Sequence, residues 1–514
     1  MKKLIPLITF FLIIILNGTL VFADSNSSVV KWDAYPSFQL LEVDKNSSIK
    51  INEENLIFDF STKNNSTLGS PKVSISASYG LINKSLEKGK APFAFSKVGT
   101  VNELLRENMD LRVDNTPINY NVHLGTLAEY FEVDENGMSE NYNTNHILNS
   151  ISYGQYLPKH FSKDDNGKLY TIKFDLSGIE DLKTNEDELL LDKLSENEDK
   201  VENYTPTGKI RLAFNFDREK TNILTKNFYG TSKYSNGVIE LTGYSDDFKN
   251  LEIFVLGEDI KEFSFLTYVD GILLEENQNS IYAISTSEQS LKSYLMSYID
   301  TNYPILGNEF LDANNEKIYD IYVQLLDECF SRYYGCLSII DLIKYGNHER
   351  MITLEFEVEL DPHSEKNISL NYNNIGSYNK TETYSPIYTY KYITDLNKNW
   401  EDFNQINVKV ITPKEAPYII DSNFNLTKGN ENTYVSEFKS PQSADLYFSL
   451  YKDETISPLS RYTSIYAWAG KYTPLVIILN IFVITSLIIL AFKIIKRRRN
   501  KKYYWLFSSI FYYH

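Results

Sequence analysis

Apolar residues recur at every second position through most of this chain, the period of a strand with one face buried. Val73, Ile75, Ala77, Tyr79 and Leu81 alternate with Ser74, Ser76, Ser78 and Gly80, which predicts one strand with a polar outer face. Ile352, Leu354, Phe356, Val358 and Leu360 alternate with Thr353, Glu355, Glu357 and Glu359 and predict a second. Shorter runs predict strands at 56–60, 210–216, 251–255, 368–372, 388–392, 406–411 and 446–450. Many strands at this spacing predict β-sandwich units, so the fold class is mainly β. Asp134 to Gly137, Asp164 to Gly167 and Asp270-Gly271 place Gly or Asn where hairpin turns need positive φ.

The period changes between residues 287 and 346. Leu291, Leu295 and Ile299, then Ile318, Ile321, Leu325, Cys329, Cys336, Ile340 and Ile343 fall at helical spacing and predict a helical insert between two β regions. Thr286 with Gln289 can form a capping box for the first helix, which Pro304 and Gly307 end, and Asn314 or Asn315 can cap the second. Such an insert would brace its neighbours or act as a lid. Residues 180–203 are rich in Glu and Asp with few apolar positions and read as an exposed acidic insertion or linker.

Two continuous apolar runs stand apart from both periods. Residues 1–23 combine Lys2 and Lys3, an apolar stretch and a small-residue exit at Ala23, the pattern of a secretory signal peptide. Residues 474–495 are long enough at 1.5 Å per residue to cross ~30 Å of hydrocarbon as one transmembrane helix. Arg497, Arg498 and Arg499, with four lysines, crowd its far side and place the tail 496–514 in the cytoplasm. Trp468 and Tyr472 in the juxtamembrane segment 459–473 suit the outer membrane interface, and the arginines suit the inner one. A wall-sorting signal would need Leu-Pro-x-Thr-Gly, which does not precede this run. The expected order is therefore signal peptide 1–23, N-terminal β domain 24–179, acidic segment 180–203 and middle β region 204–286. Helical insert 287–346, C-terminal β domain 347–458 and the membrane anchor follow, in a single-pass type I protein of the cell membrane with its N-terminal domain extracellular.

Charge changes the picture of partners. The formal net charge is −17, and setting aside the two leader lysines and the seven cations from Lys493 onward leaves −26 on the exterior part. That surface repels nucleic acid and anionic lipid headgroups, so no nucleic-acid partner is expected, whereas an envelope protein or glycan is.

Candidate chemistry is sparse. The two cysteines, Cys329 and Cys336, lie in the insert, and on the exterior a disulfide between them would persist. Seven residues of unbroken helix would part their Cα atoms by about 10.5 Å, beyond the ~7 Å a disulfide spans. A bond needs a bend, which Gly335 supplies; the alternative is two free thiols packed as small apolar groups. His123, His146, His160, His348, His363 and His514 form no His-Glu-x-x-His pair, and no Gly-x-Ser-x-Gly elbow or phosphate loop is present. No catalytic residue, metal ligand or cofactor site is assigned from the sequence. Glu355, Glu357 and Glu359 line one strand face and read as solvated. The 39 tyrosines, Tyr388, Tyr390 and Tyr392 among them, read as sheet packing.

Ala77-x-Tyr79-x-Leu81-x-Asn83, Pro92 to Phe95, Val113-Asp114 and Pro117-Ile118 resemble the opening strands of secreted bacterial β-domains and, more distantly, of VIT-type domains. Residues 368–372, Tyr390-x-Tyr392, Trp400, Phe403 and 406–413 resemble the end of uncharacterised membrane-anchored β-rich surface proteins of low-GC Gram-positive bacteria. The resemblance implies a surface β-protein. It carries no adhesion site, because the Asp-x-Ser-x-Ser motif that accompanies VIT domains is missing. The expected role is a surface binding or structural component without catalysis. One alternative is an ectoenzyme acting on envelope glycan through paired carboxylates. Another is a sensor whose Asn480, Thr485 and Ser486 contact a membrane partner.

Overall fold

The computed structural model describes residues 31–44, 46–61, 69–106, 109–128, 147–148, 151, 156–174, 208–228, 233–235, 238–244, 250–269, 272–273, 282–302, 315–333, 335–394, 405–438, 445–458, 460, 483 and 485–486. The leader, the acidic segment 180–203, Trp468, Tyr472, Arg497, Arg498 and Arg499 lie outside them, as does the 474–495 run except Val483, Thr485 and Ser486. Among the described residues no helix is long and apolar enough to cross a membrane.

The protein is mainly β, with strands in five sheets. Every run of alternating residues singled out above lies in a strand, with differences of a few residues at the ends. Lys72–Asn83 buries Val73, Ile75, Ala77, Tyr79 and Leu81 and half-buries the residues between them. It sits inside an eight-stranded sheet, antiparallel to Ile49–Asp59 on one side and Glu365–Ile375 on the other. Gln405–Ile411 runs parallel to Ile49–Asp59 on its far side. The shared apolar face is covered by two further sheets. The ring of Tyr372 meets Phe95 of the four-stranded sheet at 4.9 Å, and Phe58 meets Phe448 of the six-stranded sheet at 5.1 Å.

Strands from residues 31–127 and from residues 350–451 share all three of these sheets. Arg350–Leu360 lies between Gly89–Gly99 and Asn121–Leu127, so the chain leaves this body after residue 127 and returns at 350 to pair with the strands it left. The residues between build a second sandwich from two five-stranded sheets. Asn166–Phe174, Thr221–Lys226, Leu251–Gly257, Tyr282–Ser290 and Cys336–Ser338 form one. Gly208–Asn215, Lys233–Ser235, Val238–Tyr244, Lys261–Val269 and Ile272–Leu273 form the other. Ile172, Ile223, Ile253 and Val255 meet Ile210, Leu212, Phe214, Ile239 and Leu241 in its core. The opposite face of the first sheet carries Leu224, Phe254 and Leu256 against the helices. Burial on both faces is why Ile253 to Leu256 read as a continuous apolar run. Its end is closed by Gly257 at φ +95°, where a Cβ would stand 2.0 Å from the Lys220 carbonyl oxygen. Gly257→Ala is expected to cost about 2 kcal/mol in a denaturant titration, from a left-handed backbone and a backbone clash together.

The insert holds three helices, Leu291–Asn302, Asn315–Arg332 and Ile339–Gly346, where spacing predicted two. Thr286 and Gln289 do not form a capping box, because Tyr282–Ser290 pairs with Asn166–Phe174 along all nine residues. The first helix is instead capped by Ser290, whose hydroxyl accepts from the Ser293 N–H at 3.2 Å. The helices join the two β bodies. Gln324 of the long helix gives its Nε2 to the Val122 carbonyl at 2.7 Å and takes the Leu124 N–H at 3.1 Å. One side-chain amide thereby completes the open edge of Asn121–Leu127 as a neighbouring strand would.

Candidate functional site

The polar groups of chemical interest gather on the long helix Asn315–Arg332. Ile318, Ile321, Tyr322, Leu325, Cys329 and Phe330 fix its buried face, Glu316 sits in the first turn and Arg332 in the last, in agreement with the helix dipole. Asp327 occupies the next position around the helix, with its carboxylate only 3% exposed. The segment 156–165 crosses the helix here. Asp327 Oδ2 accepts from the Tyr156 hydroxyl at 2.5 Å, and both oxygens accept from the Lys159 N–H at 3.0 Å. Oδ1 also accepts from the His160 N–H at 3.0 Å and from its Nδ1 at 2.7 Å. Burial pushes the Asp327 carboxyl up, but these donors outweigh it and hold the group below the usual carboxylate range.

His160 is held at several points. Its carbonyl accepts from Asn222 Nδ2 at 2.8 Å, and the neighbouring Phe161 ring stands edge-on to Phe330 at 5.8 Å. Further along, Lys163 pairs with Asp320 at 2.6 Å and the Tyr319 hydroxyl donates to the Lys163 carbonyl at 2.6 Å. In the tautomer that directs Nδ1–H at Asp327, the lone pair is on Nε2, which faces the Ser331 hydroxyl at 3.3 Å. Asp327 and Ser331 are four residues apart and therefore share a helix face. Ser331 is exposed, and its hydroxyl lies equally 3.3 Å from the Asp327 carbonyl. The helix stops one residue later, and Gly335 at φ +79° takes the chain into Cys336–Ser338, with its N–H on the Phe330 carbonyl at 3.0 Å.

Two other clusters hold buried charged groups. His123 Nε2 and Glu355 Oε2 are 2.9 Å apart between adjacent strands, with side chains 2% and 9% exposed. Arg350 is fully buried, gives Nη1 to Glu328 at 2.7 Å and lies 4.9 Å from the Tyr345 ring, whose hydroxyl also donates to Glu328. Of the three glutamates expected to be solvated, Glu357 and Glu359 are exposed, in surface ion pairs with Lys90 at 2.7 Å and Lys88 at 2.6 Å, whereas Glu355 is buried against His123. His123 comes from the neighbouring strand, which alternation along Arg350–Leu360 alone cannot reveal.

Cys329 and Cys336 are not joined. Both are free and buried, Cys329 in the core shared by the helices and Cys336 in the core between the two five-stranded sheets. The expected bend at Gly335 exists, but it leads into a strand beside Thr221–Lys226 in place of a helical hairpin, and the sheet separates the sulfurs. Burial pushes both thiols up to about 12. Without reductant the folded chain is expected to resist maleimide and the unfolded chain to take two labels; a count of zero after unfolding would restore the disulfide. Among the described residues no group of three or more His, Cys, Asp or Glu could hold a metal ion.

The Ser331–His160–Asp327 arrangement has no sequence signal beyond an Asp and a Ser four apart on a helix. His160 lies 167 positions before Asp327 and reaches it only through the fold. No protein-family model matches the chain, and no curated protein matches it. One match among solved structures is a "putative nutrient binding protein" from Legionella pneumophila, at 9% sequence identity and a TM-score of 0.27, covering 82% of this chain and 73% of that one. A likeness at that score carries no argument about this chain.

Proposed function

We propose that the chain is a single-pass surface protein whose β-rich body stands outside the cell and serves as a binding or structural component. The observation that carries this reading is the pair of apolar runs at 1–23 and 474–495, the second followed by six cations. The described strands and helices of residues 31–451 all fall between the two runs, which supports a folded exterior part made of β-sandwich units. The net charge of −26 between them favours a neutral or basic envelope protein or glycan over anionic polymers.

Protease treatment of intact cells tests the placement. A C-terminal epitope is expected to survive on a short membrane-bound fragment while the body is digested; a body that resists until the cells are lysed would end the proposal. The carboxylate ectoenzyme reading requires a carboxyl of raised pKa open to substrate. Glu54 is raised to about 7 by burial, yet it is sealed in the core with no exposed surface, so it cannot meet a glycan.

A further inference from the structure

We infer that Ser331, His160 and Asp327 form a nucleophilic acyl-transfer site that hydrolyses carboxylic esters. Three requirements of such a site are met by groups on the page. The nucleophile is exposed at the end of the long helix. The base presents Nε2 to it at 3.3 Å, and the orienting carboxylate holds Nδ1 at 2.7 Å. The carboxylate is itself buried, ionised and fixed by Tyr156 and two backbone N–H groups, so it sets the tautomer of the imidazole without taking its proton. The His160 backbone is tied on both sides, through its N–H to Asp327 and its carbonyl to Asn222, which restricts the ring to this approach.

Position on the helix favours the same chemistry. As Ser331 gives up its proton the imidazole becomes a cation, and the carboxyl end of a helix stabilises a histidinium beside it. The hydroxyl hydrogen has a second acceptor, the Asp327 carbonyl, also at 3.3 Å. Rotation about one side-chain bond moves that hydrogen between the two acceptors, so the resting bond is weak and is given up when substrate arrives.

In the first half-reaction Ser331 Oγ bonds to the ester carbonyl carbon, its proton passes to His160 Nε2, and the alcohol departs with that proton as the carbon–oxygen bond breaks. In the second, water adds to the acyl-serine and loses a proton to Nε2. The Ser331 oxygen leaves with that proton, releasing the carboxylic acid and restoring the hydroxyl. One ester and one water thus give one acid and one alcohol.

The test uses the full chain in detergent, an alkyl fluorophosphonate as the covalent probe and p-nitrophenyl butyrate as the ester. The folded wild type is expected to take one label on the peptide carrying Ser331. Ser331→Ala is expected to abolish labelling and lower ester turnover by several orders of magnitude, because removing the nucleophile removes the acyl-enzyme route. Because Ser331 is exposed, that variant is expected to unfold at the wild-type temperature. His160→Gln is expected to lower kcat with KM little changed. The inference is overturned by wild type that takes no more label than heat-unfolded chain, by label that maps elsewhere, or by turnover that survives in Ser331→Ala.

Discussion

Replacing Asp327 by alanine is expected to destabilise the protein by about 3 kcal/mol and to free the segment 156–165 from the long helix. The carboxylate, itself 3% exposed, receives four donors: the Tyr156 hydroxyl, the Lys159 and His160 N–H groups and His160 Nδ1. Each donor left without a partner there costs roughly 1–3 kcal/mol, so even partial rewetting leaves a large deficit. Asp327→Asn retains one acceptor oxygen but turns an NH2 group toward donors, and it is expected to lose most of the same stability. A denaturant midpoint and the rate of proteolysis within residues 156–165 measure both effects. An unchanged midpoint would mean that the segment holds to the helix through Phe161, Lys163 and Tyr319 alone.

Stability is also expected to depend on pH through Glu54. This carboxyl is fully buried on Ile49–Asp59, where its Oε1 accepts from the Tyr392 hydroxyl at 2.5 Å and its Oε2 from Gln39 Nε2. Tyr392 stands 3.0 Å from the Tyr79 hydroxyl, which accepts the Leu40 N–H at 3.2 Å. Burial lifts the Glu54 value from 4.5 to about 7, against the opposing hydrogen bonds from Tyr392 and Gln39. The folded state therefore binds a proton that the unfolded state releases between those two values. Its stabilising effect is complete below about 4.5 and is lost as the pH rises to about 7, a change of about 3 kcal/mol at 1.36 kcal/mol per pKa unit.

Glu54→Gln removes this dependence. The oxygen of Gln39 has no partner, so turning the Gln39 amide lets it accept from the new side chain, as it can from protonated Glu54. The variant is expected to be more stable than wild type above pH 7 by about the same 3 kcal/mol and to match it near pH 4.5. Unfolding at a series of pH values for both proteins isolates the term, because the other carboxylates cancel in the difference. Parallel curves from pH 4.5 to 8 would show that Glu54 is already charged, or already neutral, across the range.

The alternation of apolar and polar residues was enough to locate the strands at 73–81 and 352–360, to assign a mainly β fold and to place helices after residue 290. These are local properties, since the direction of a side chain on a strand or helix follows from its position along one element. The same local rules failed where an outside partner decided the outcome. Thr286 and Gln289 suit a helix start, but nine residues of pairing with Asn166–Phe174 hold them in a strand. Glu355 reads as a solvent-facing position, but it is buried against His123 of the neighbouring strand.

Cys329 and Cys336 are seven residues apart in sequence and on opposite sides of a sheet in space. By itself the sequence determined which residues face a core, and the apolar runs that suggest an address in the membrane. Tertiary structure alone decided that residues 31–127 and 350–451 share three sheets and that the second sandwich is threaded between them. It also decided that His160 meets Asp327 and Ser331. Pairing of strands and convergence of polar groups depend on chain segments hundreds of residues apart. Their selection is made by the summed packing of whole faces, which no window along the chain contains.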